Sequence, residues 1–219
     1  MFEAAIFDWD GTLADTRKAI DVSFQRALKE ISLTVPTQYI ERRIGIGAAE
    51  TFRAILEAAN RRVDEKVVKQ LVERKSTIQI QLADEVALFG GGQELLTALH
   101  GKLKVGLASM NNRKVIMHLL QVKGLAYCFN VVLTVEAVSH SKPDPEIFLK
   151  TAQQLKAEPK ACVVFEDSIF GVEAAKAAGM SCVAVTTGVY SKQELEEGKA
   201  DLVVENLSDP KILRFVLGC

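Results

Sequence analysis

The sequence predicts an α/β fold in which a parallel sheet carries an all-helical segment inserted after its first strand. Two observations support this prediction. Short apolar runs alternate with segments of helical spacing from about residue 93 onwards, a pattern typical of a sheet covered by helices on both faces. Residues 17–82, in contrast, show helical spacing alone. The 219-residue chain is 48% hydrophobic and 25% charged, which suits one large globular domain or two smaller ones.

The first strand and the helical segment lie close together in the chain. Residues 3–7 form an apolar run that predicts a short buried strand, and Gly11 marks the turn after it. Apolar residues then recur at helical spacing up to about residue 82, with a helix break at 34–36. The residues with this spacing are Ile20, Phe24, Leu28, Ile31, Phe52, Ile55, Leu56, Ala59, Val68, Leu71 and Val72.

The rest of the chain predicts alternating helices and strands after the loop Gly90-Gly91-Gly92. Asp144-Pro145 has the N-cap and first-turn chemistry of a helix start. The predicted strands are 103–108, 130–134, 161–165, 182–186 and 202–204, and the predicted helices are 93–100, 112–122, 144–155, one ending at Gly179, and 209–217.

The charge balance and the hydropathy exclude several classes of protein. The 27 basic and 28 acidic residues give a net charge of −1 without a long basic run, so nucleic acid is not expected as a partner. No apolar run indicates a membrane span and the N-terminus lacks a signal-peptide pattern, so we expect a cytoplasmic protein. The cysteines form no CxxC pair, and we expect Cys162 and Cys182 to be core residues rather than disulfide partners.

Polar and charged residues follow several of the predicted strands. Asp8 and Asp10 come after the first strand, Ser109 after strand 103–108, and Glu166 and Asp167 after strand 161–165. Lys142 follows strand 130–134 across a short loop. Each of these residues alone fits a structural role, such as a turn, a helix cap or a surface lysine. Because ligands of open parallel sheets bind at the carboxyl ends of the strands, their joint occurrence predicts one site.

The chemistry of this set favours a magnesium-assisted phosphoryl site. Asp8 and Asp167 supply the hard oxygen ligands that Mg²⁺ prefers, and Mg²⁺ often takes only one or two carboxylates. Ser109 and Lys142 are expected to hold the phosphoryl oxygens. The segment after Ser109, which includes Met110 and Asn111, leads into a helix whose free N–H groups favour an anion.

Four segments of the chain, taken in order, resemble the motifs of the haloacid dehalogenase superfamily. Residues 7–16 (Phe-Asp-Trp-Asp-Gly-Thr-Leu-Ala-Asp-Thr) are similar to its first motif, and Ser109 after an apolar strand is similar to its second. Residues 141–145 (Ser-Lys-Pro-Asp-Pro) resemble the third motif. Residues 165–168 (Phe-Glu-Asp-Ser), with Gly171 and the Ala-Ala-Gly ending at Gly179, resemble the fourth.

This resemblance implies a domain organisation and a mechanism. A Rossmann-like catalytic core would comprise residues 1–16 and 83–219, and residues 17–82 would form a mobile helical cap that excludes water. Asp8 would become an aspartyl phosphate, and Asp10 would act as the acid and then the base. Mg²⁺ would bind Asp8, the Asp10 backbone carbonyl and Asp167, with Glu166 binding directly or through water.

Asp10 narrows the choice of reaction. Haloacid dehalogenases and phosphonatases lack an acid at this position, so the resemblance implies a phosphatase of the phosphoglycolate phosphatase type acting on a small phosphorylated metabolite. β-Phosphoglucomutase is the alternative, but the arginine of its cap aligns near Ala48, and Arg42 and Arg43 are several residues out of register. The cap loop that contacts the substrate would comprise Gly45, Ile46, Gly47 and Ala48.

Two further questions stay open at this point. A phosphoacceptor signalling domain also combines acids, Mg²⁺ and a lysine on a parallel sheet, but it has adjacent acids after its first strand and no long helical insertion. This sequence departs from both of those features. The sequence is compatible with either a monomer or a dimer.

Overall fold

The structure is a computed structural model that describes residues 2–218. In these residues the strands are β1 (Ala4–Phe7), β2 (Ala14–Asp15), β3 (Ala87–Leu88), β4 (Lys104–Ala108), β5 (Val131–Leu133), β6 (Cys162–Glu166), β7 (Ser181–Val185) and β8 (Leu202–Val204). The α-helices are α1 (Arg17–Lys29), α2 (Thr37–Glu41), α3 (Ala48–Ala58), α4 (Glu65–Gln81), α5 (Gly92–Leu99), α6 (Arg113–Val122), α7 (Glu146–Leu155), α8 (Ile169–Ala177), α9 (Lys192–Glu197) and α10 (Pro210–Leu217).

Six of the strands form one parallel sheet in the order β5-β4-β1-β6-β7-β8. β1 lies in the middle and pairs with β4 on one side and β6 on the other, so the strand order reverses next to it. The carboxyl ends of β1, β4 and β6 therefore lie side by side at the switch point of the sheet, where open α/β folds bind ligands. The predicted α/β class with a parallel sheet is confirmed.

Helices cover both faces of this sheet because successive strand residues point to opposite sides. In β1, Ala5 and Phe7 belong to one apolar cluster, which also takes residues from α5, α6 and α10. Ala4 and Ile6 belong to the other cluster, which takes residues from α7, α8 and α9. Burial on both faces explains why the strands are nearly continuous apolar runs in the sequence.

Helices α1 to α4, residues 17–81, form the segment that we term the helical insert. It has an apolar cluster of its own, in which the rings of Phe24 and Phe52 lie 4.5 Å apart. The two connections to the sheet pair with each other as the short antiparallel ribbon of β2 and β3, in which Ala14 lies opposite Leu88. Two-residue strands are too short to show a hydrophobic period, so this ribbon is not predicted by the sequence.

The predicted boundaries of the long elements differ from the observed ones by a few residues at most. The short elements were missed: helices α2 and α9 and the 3₁₀ turns at 83–85, 126–128, 135–137 and 159–161. These segments are too short to show a repeating pattern.

The structure also shows the state of the cysteines and whether any helix could span a membrane. Cys162 and Cys182 are buried free thiols in β6 and β7, as expected, and Cys128 is also free and buried. Cys219 lies outside the described residues. Within residues 2–218, no helix combines the length and the apolar character that a membrane crossing requires.

The stacked rings of Phe7 and Phe165 in neighbouring strands provide a test of the core. Their centroids are 4.3 Å apart and both side chains are fully buried. We expect Phe165→Ala to lower the free energy of unfolding in urea by about 3–5 kcal/mol, because it removes the stack and leaves a cavity. The control is Leu149→Ala on the surface of α7, where the side chain is 39% exposed. A Phe165→Ala loss as small as that of the control would contradict this packing.

Candidate active site

The residues predicted to carry chemistry lie together at the carboxyl edge of the sheet. Asp8 follows β1, Ser109 follows β4, and Glu166 is the last residue of β6, with Asp167 directly after it. Lys142 reaches the same edge from the loop before α7. All of these side chains are buried, although each is charged or polar. A buried polar side chain requires a partner, so their contacts determine what the site can do.

Lys142 binds two of the carboxylates directly. Its Nζ lies 2.7 Å from Asp8 Oδ1 and 2.6 Å from Glu166 Oε1, and it also donates to the backbone carbonyl of Ala108 at 3.3 Å. Burial lowers the pKa of Lys142, but Asp8 and Glu166 together outweigh burial and leave that pKa above its ordinary value. Lys142 is therefore a permanent cation that holds Asp8 in one orientation.

Glu166 is held by hydrogen bonds at both of its carboxylate oxygens. Oε1 accepts from Lys142, while Oε2 accepts from the backbone N–H groups of Asp167 and Ser168 and from the Ser168 hydroxyl. A Cβ atom at Gly171 would lie 1.8 Å from the Glu166 carboxyl carbon, so this carboxylate needs a glycine beside it. Both oxygens of Glu166 therefore already accept at least one hydrogen bond.

Asp167 lies between two glycines. A Cβ atom at Gly11, whose φ is +91°, would lie 2.2 Å from Asp167 Oδ2, and one at Gly188 would lie 2.0 Å from the same atom. Thr12 Oγ1 donates to Asp167 Oδ1 at 3.2 Å. Among residues 2–218, no hydrogen bond occupies Asp167 Oδ2 or Asp8 Oδ2. These are two free carboxylate oxygens at the buried edge of the sheet.

Burial and the local charge disfavour the ionised forms of Asp8 and Asp167. Burial raises the pKa of Asp8 to about 8, and the neighbouring Glu166 and Asp10 add to the rise while Lys142 opposes it. Burial also raises the pKa of Asp167 well above its ordinary value, together with Glu166 and Asp8. Lys142 and the more distant Lys75 do not together balance four buried carboxylates, and a divalent cation would relieve the remaining repulsion.

The free carboxylate oxygens of the site are suitable ligands for a divalent cation. Asp8 and Asp167 each offer one free oxygen, and hard carboxylate oxygens are the preferred ligands of Mg²⁺ and similar ions. Glu166 was predicted to bind the metal directly or through water. Since both of its oxygens already accept hydrogen bonds, the geometry favours the indirect arrangement.

The loop after β4 offers hydrogen-bond donors. Ser109 Oγ donates to Asp10 Oδ2 at 3.3 Å and accepts from the backbone N–H of Asn111 at 3.1 Å. The Asn111 side chain donates to both oxygens of Asp10, at 3.3 and 3.2 Å. The backbone N–H groups of Asp10 and Met110 have no acceptor within the described part of the chain. Free N–H groups beside buried polar side chains suit an anion.

A small cavity lies between this edge and the helical insert. Gly45, Gly47 and Ala48 of the predicted cap loop line it, together with Asp8 and Asp10. Ile46 lies instead in an outer cleft beside the loop that carries Lys142. The remaining residues of the cavity wall are Ile20, Phe24, Ile40, Arg43, Ile44, Thr51, Lys75, Met110 and Asn111.

Lys75 was not among the predicted site residues, and Arg43 was considered only as a residue several positions out of register with the arginine of the β-phosphoglucomutase cap. Arg43 does line the cavity, with its guanidinium carbon 3.6 Å from the centre of the Tyr39 ring. Arg42 points elsewhere and pairs with Glu194 at 2.6 Å. Lys75 is one of several polar residues on α4, and helical spacing could have placed it near Val68, Leu71 and Val72 without showing what it faces.

A second group of possible ligands lies at the surface beside α7. One ligand atom each of His140, Asp144 and Glu146 lie within 4.8 Å of one another. Glu146 already accepts from Lys150 and from the backbone N–H groups of Ser139 and His140, so its charge is balanced. This group orders the start of α7 and lies outside the buried edge.

Lys142→Met is expected to lower the free energy of unfolding by about 3–5 kcal/mol at pH 8 in EDTA, because it leaves buried carboxylates without their cation. The folded pKa of Asp8 is about 8, above that of an unfolded aspartate, so the folded protein holds the extra proton between about pH 4 and pH 8. Lys142 lowers the pKa of Asp8, so its removal extends this protonated range above pH 8, and the loss should therefore grow as the pH rises from 8 to about 9.

Urea denaturation of the wild type and the variant at both pH values measures this effect. The matched control is Lys150→Met, which removes the exposed pair with Glu146. That change should cost about 0.5 kcal/mol or less. If the two lysine variants lose equal stability, Lys142 does not carry the charge balance of the site.

The chain is similar to known enzymes over most of its length. The model of the haloacid dehalogenase-like hydrolase family matches residues 5–185. Fructose-1-phosphate phosphatase YqaB of Escherichia coli (strain K12) is 31% identical over 188 residues, which are 84% of this chain and 96% of that protein. Beta-phosphoglucomutase of Bacillus subtilis (strain 168) is 30% identical over 215 residues, which are 94% of this chain and 91% of that protein.

A solved structure has the same fold. The crystal structure of a hydrolase from Pseudomonas syringae superimposes with a TM-score of 0.89 at 26% identity, and the match covers 100% of this chain and 98% of that one. The resemblance found in the sequence motifs is confirmed by these matches. The chain belongs to the haloacid dehalogenase-like hydrolase family.

Proposed function

We propose that this protein is a Mg²⁺-dependent phosphatase that hydrolyses a small phosphate monoester, of the phosphoglycolate or sugar-phosphate type, through an aspartyl phosphate on Asp8. The proposal rests mainly on the different surroundings of the two carboxylate oxygens of Asp8. Lys142 holds one of its oxygens at 2.7 Å, while its other oxygen has no partner in residues 2–218. A carboxylate that is fixed in orientation and free at one oxygen is suited to nucleophilic attack.

The proposed reaction has two steps. In the first, Asp8 Oδ2 attacks phosphorus, the bond from phosphorus to the alcohol oxygen breaks, and Asp10 gives its proton to that oxygen. In the second, water attacks phosphorus and Asp10 takes the proton from the water. Phosphate leaves and the Asp8 carboxylate is restored. Positioned acid–base catalysis of this kind contributes roughly 10²–10⁴-fold.

The Mg²⁺ would be held by Asp8, Asp167 and the backbone carbonyl of Asp10, with Glu166 acting through water and through Lys142. When bound, it neutralises negative charge on the phosphoryl oxygens and on the buried acids. The free oxygen of Asp167 supports this assignment, whereas the free oxygen of Asp8 is the one that attacks phosphorus.

The phosphoryl oxygens would be held by Ser109, Met110, Asn111 and Lys142. The unpaired N–H of Met110 supports the role of that residue. The Asn111 side chain, in contrast, binds Asp10, so Asn111 would contribute chiefly through its backbone. Phosphoryl transfer depends mainly on such positioning and charge neutralisation.

The helical insert would be the cap of the active site, with residues 17–82 as the cap domain and residues 1–16 and 83–219 as the catalytic core. Its contact with the cavity supports this division, since Gly45, Gly47 and Ala48 lie against Asp8 and Asp10 there. The cap would exclude water and select the alcohol of the substrate, a small phosphorylated metabolite of the cytoplasm.

A sugar phosphomutase is the second candidate, and one observation favours it. Arg43 lines the cavity, and an arginine there could bind a second phosphate. A phosphatase remains the first candidate because Ala48 has no charge to bind that group, and because YqaB, one relative, is named a fructose-1-phosphate phosphatase. The other named relative is a β-phosphoglucomutase, so the distinction requires an experiment.

The test is a panel of phosphorylated metabolites in Mg²⁺, with and without a sugar bisphosphate as activator. We expect release of inorganic phosphate from phosphoglycolate or from a sugar phosphate, and loss of that release in excess EDTA. Isomerised sugar phosphate without phosphate release would support the mutase instead. Undiminished turnover in EDTA would show that the reaction does not require a metal ion.

Asp8→Asn should abolish phosphate release, because the amide is a poor nucleophile, while the thermal unfolding midpoint stays near that of the wild type. The control is Asp15→Asn in β2, whose carboxylate pairs with Arg17 at 3.4 Å on the surface. It should keep full activity. Wild-type rates in Asp8→Asn would show that another group accepts the phosphoryl group.

A further inference from the structure

The helical insert contacts the rest of the protein on two sides. On the side of α4, Ser76 donates to Asn112 Oδ1 at 2.9 Å and Lys75 donates to Asn111 Oδ1 at 3.3 Å. On the other side, Arg42 follows α2 and meets residues 187–194, which lead from β7 into α9. The reaction proposed above uses no side chain of this second contact.

Three kinds of interaction join Arg42 to residues 187–194. Its Nη2 lies 2.6 Å from Glu194 Oε1, and its guanidinium carbon lies 4.2 Å from the centre of the Tyr190 ring. In the opposite direction, the Tyr190 hydroxyl donates to the backbone carbonyl of Arg42 at 2.7 Å. An ion pair, a cation–π contact and a hydrogen bond therefore cross from the insert to the sheet domain at one residue.

The carboxylate of Glu194 is oriented by its own helix. Its Oε2 accepts from the backbone N–H of Ser191 at 2.8 Å and from the Ser191 hydroxyl at 2.9 Å, which completes the capping box at the start of α9. Among residues 2–218, its Oε1 accepts only from Arg42. The hydrogen bond from Arg42, together with those from Ser191, lowers the pKa of Glu194 to about 2, so the ion pair persists at neutral pH.

The loop that carries Tyr190 is itself fixed to the sheet edge. Thr187 Oγ1 donates to the backbone carbonyl of Gly11 at 2.6 Å. Gly188 lies against the Asp167 carboxylate, since a Cβ atom there would lie 2.0 Å from Oδ2. Tyr190 is 3% exposed and belongs to the apolar cluster on one face of the sheet. The sheet domain therefore offers Arg42 a partner that is ordered without the insert.

The cap loop follows Arg42 closely in the chain and lies in contact with the sheet edge. A Cβ atom at Gly45 would lie 3.0 Å from Ser168 Oγ, and one at Gly47 would lie 3.4 Å from the Met110 carbonyl oxygen. Both glycines line the cavity. Because so few residues separate the cap loop from Arg42, the docking of Arg42 limits how far the cap loop can move from the sheet edge.

We propose that Arg42, Tyr190 and Glu194 form a latch that holds the cap loop over the sheet edge while the insert is closed, and that opening of the insert breaks this latch. The proposal rests on the function proposed above, in which the insert is the cap of the active site. None of the three residues lines the cavity, so they are positioning residues that act on the insert and not on the substrate.

The first measurement is the radius of gyration of the substrate-free protein in small-angle X-ray scattering. Tyr190→Phe keeps the ring and removes only the hydroxyl, while Glu194→Gln removes the charge and keeps a residue that suits the capping box. Arg42→Met removes the ion pair and the cation–π contact. Each variant should have a larger radius than the wild type, because each raises the share of open molecules. Unchanged radii would overturn the proposal.

The second measurement separates KM from kcat, with the best ester from the panel in Mg²⁺. Each variant should raise KM about 3- to 10-fold, since the loss of one such contact lowers the share of closed, binding-competent molecules by about that factor. The value of kcat should change less than about 2-fold, because the substrate-bound enzyme keeps the same reacting groups. A fall in kcat without a rise in KM, or a rise in KM with an unchanged radius, would contradict the latch.

The double variant tests whether Arg42 and Glu194 act through one contact. If they do, Arg42→Met combined with Glu194→Gln should raise KM no more than Arg42→Met alone, because the second change removes nothing further. Multiplied effects on KM would show that the two residues act independently, and would overturn the proposal.

Two control variants remove similar ion pairs that do not join the insert to the sheet domain. Arg53→Met removes an arginine whose side chain is 32% exposed, against 38% for Arg42. The partners of Arg53 are Glu50 and Glu65, which both belong to the insert. Glu196→Gln removes an ion pair within α9. Both controls should match the wild type in radius and in KM, and equal changes in them would assign the effect to a general loss of surface charge.

The failure of the latch differs from the failure of the proposed function. A wild-type protein that hydrolyses no ester contradicts the proposed function, while the scattering measurement, which needs no turnover, still decides whether the latch holds the insert. A wild type that hydrolyses esters, with variants unchanged in radius and KM, contradicts only the latch. Should Arg42→Met not fold, Tyr190→Phe and Glu194→Gln test the same contact from the sheet domain.

Discussion

The ammonium of Lys142, held between the carboxylates of Asp8 and Glu166, is the interaction on which the rest of the site depends. Four acids converge at one edge of the sheet because β1 and β6 end there side by side. Without a cation between them, their mutual repulsion and their burial would both oppose folding. Lys142 offsets part of this cost and at the same time leaves one oxygen of Asp8 free.

Steric restraint supplements the charge balance. Glu166 and Asp167 are each held against glycines, where even a methyl group would collide with the carboxylate. Hydrogen bonds from Ser168 and Thr12 then limit the remaining rotation. The acids are therefore oriented before any ligand binds, and the cost of ordering them is met during folding of the sheet rather than during binding.

The helical insert contributes a different kind of residue. The sheet edge supplies acids, a lysine and a hydroxyl, whereas the insert supplies mostly aliphatic side chains, together with the cations Arg43 and Lys75. The cavity between them has a polar floor and a largely apolar roof. This division lets the chemistry at the floor stay the same while changes in the roof alter the choice of substrate.

The sequence alone determined the α/β class, the helical nature of residues 17–82 and the identities of the buried acids. These features follow from local periodicity and from the position of each residue relative to a strand. Asp8, Asp10, Ser109, Lys142, Glu166 and Asp167 could all be selected in this way, because strand ends are visible in the order of apolar and polar residues.

The tertiary structure alone decided which oxygens are free, where Arg43 points, and that Lys75 reaches Asn111. Lys75 and Asn111 are 36 residues apart, and their contact depends on how α4 packs against the loop before α6. A helical pattern shows which residues share a face, but it contains no information on what that face meets. Whether Glu166 binds a metal directly or binds Lys142 also depends on distances between atoms. These distances are set only when the strands β1, β4 and β6 lie side by side.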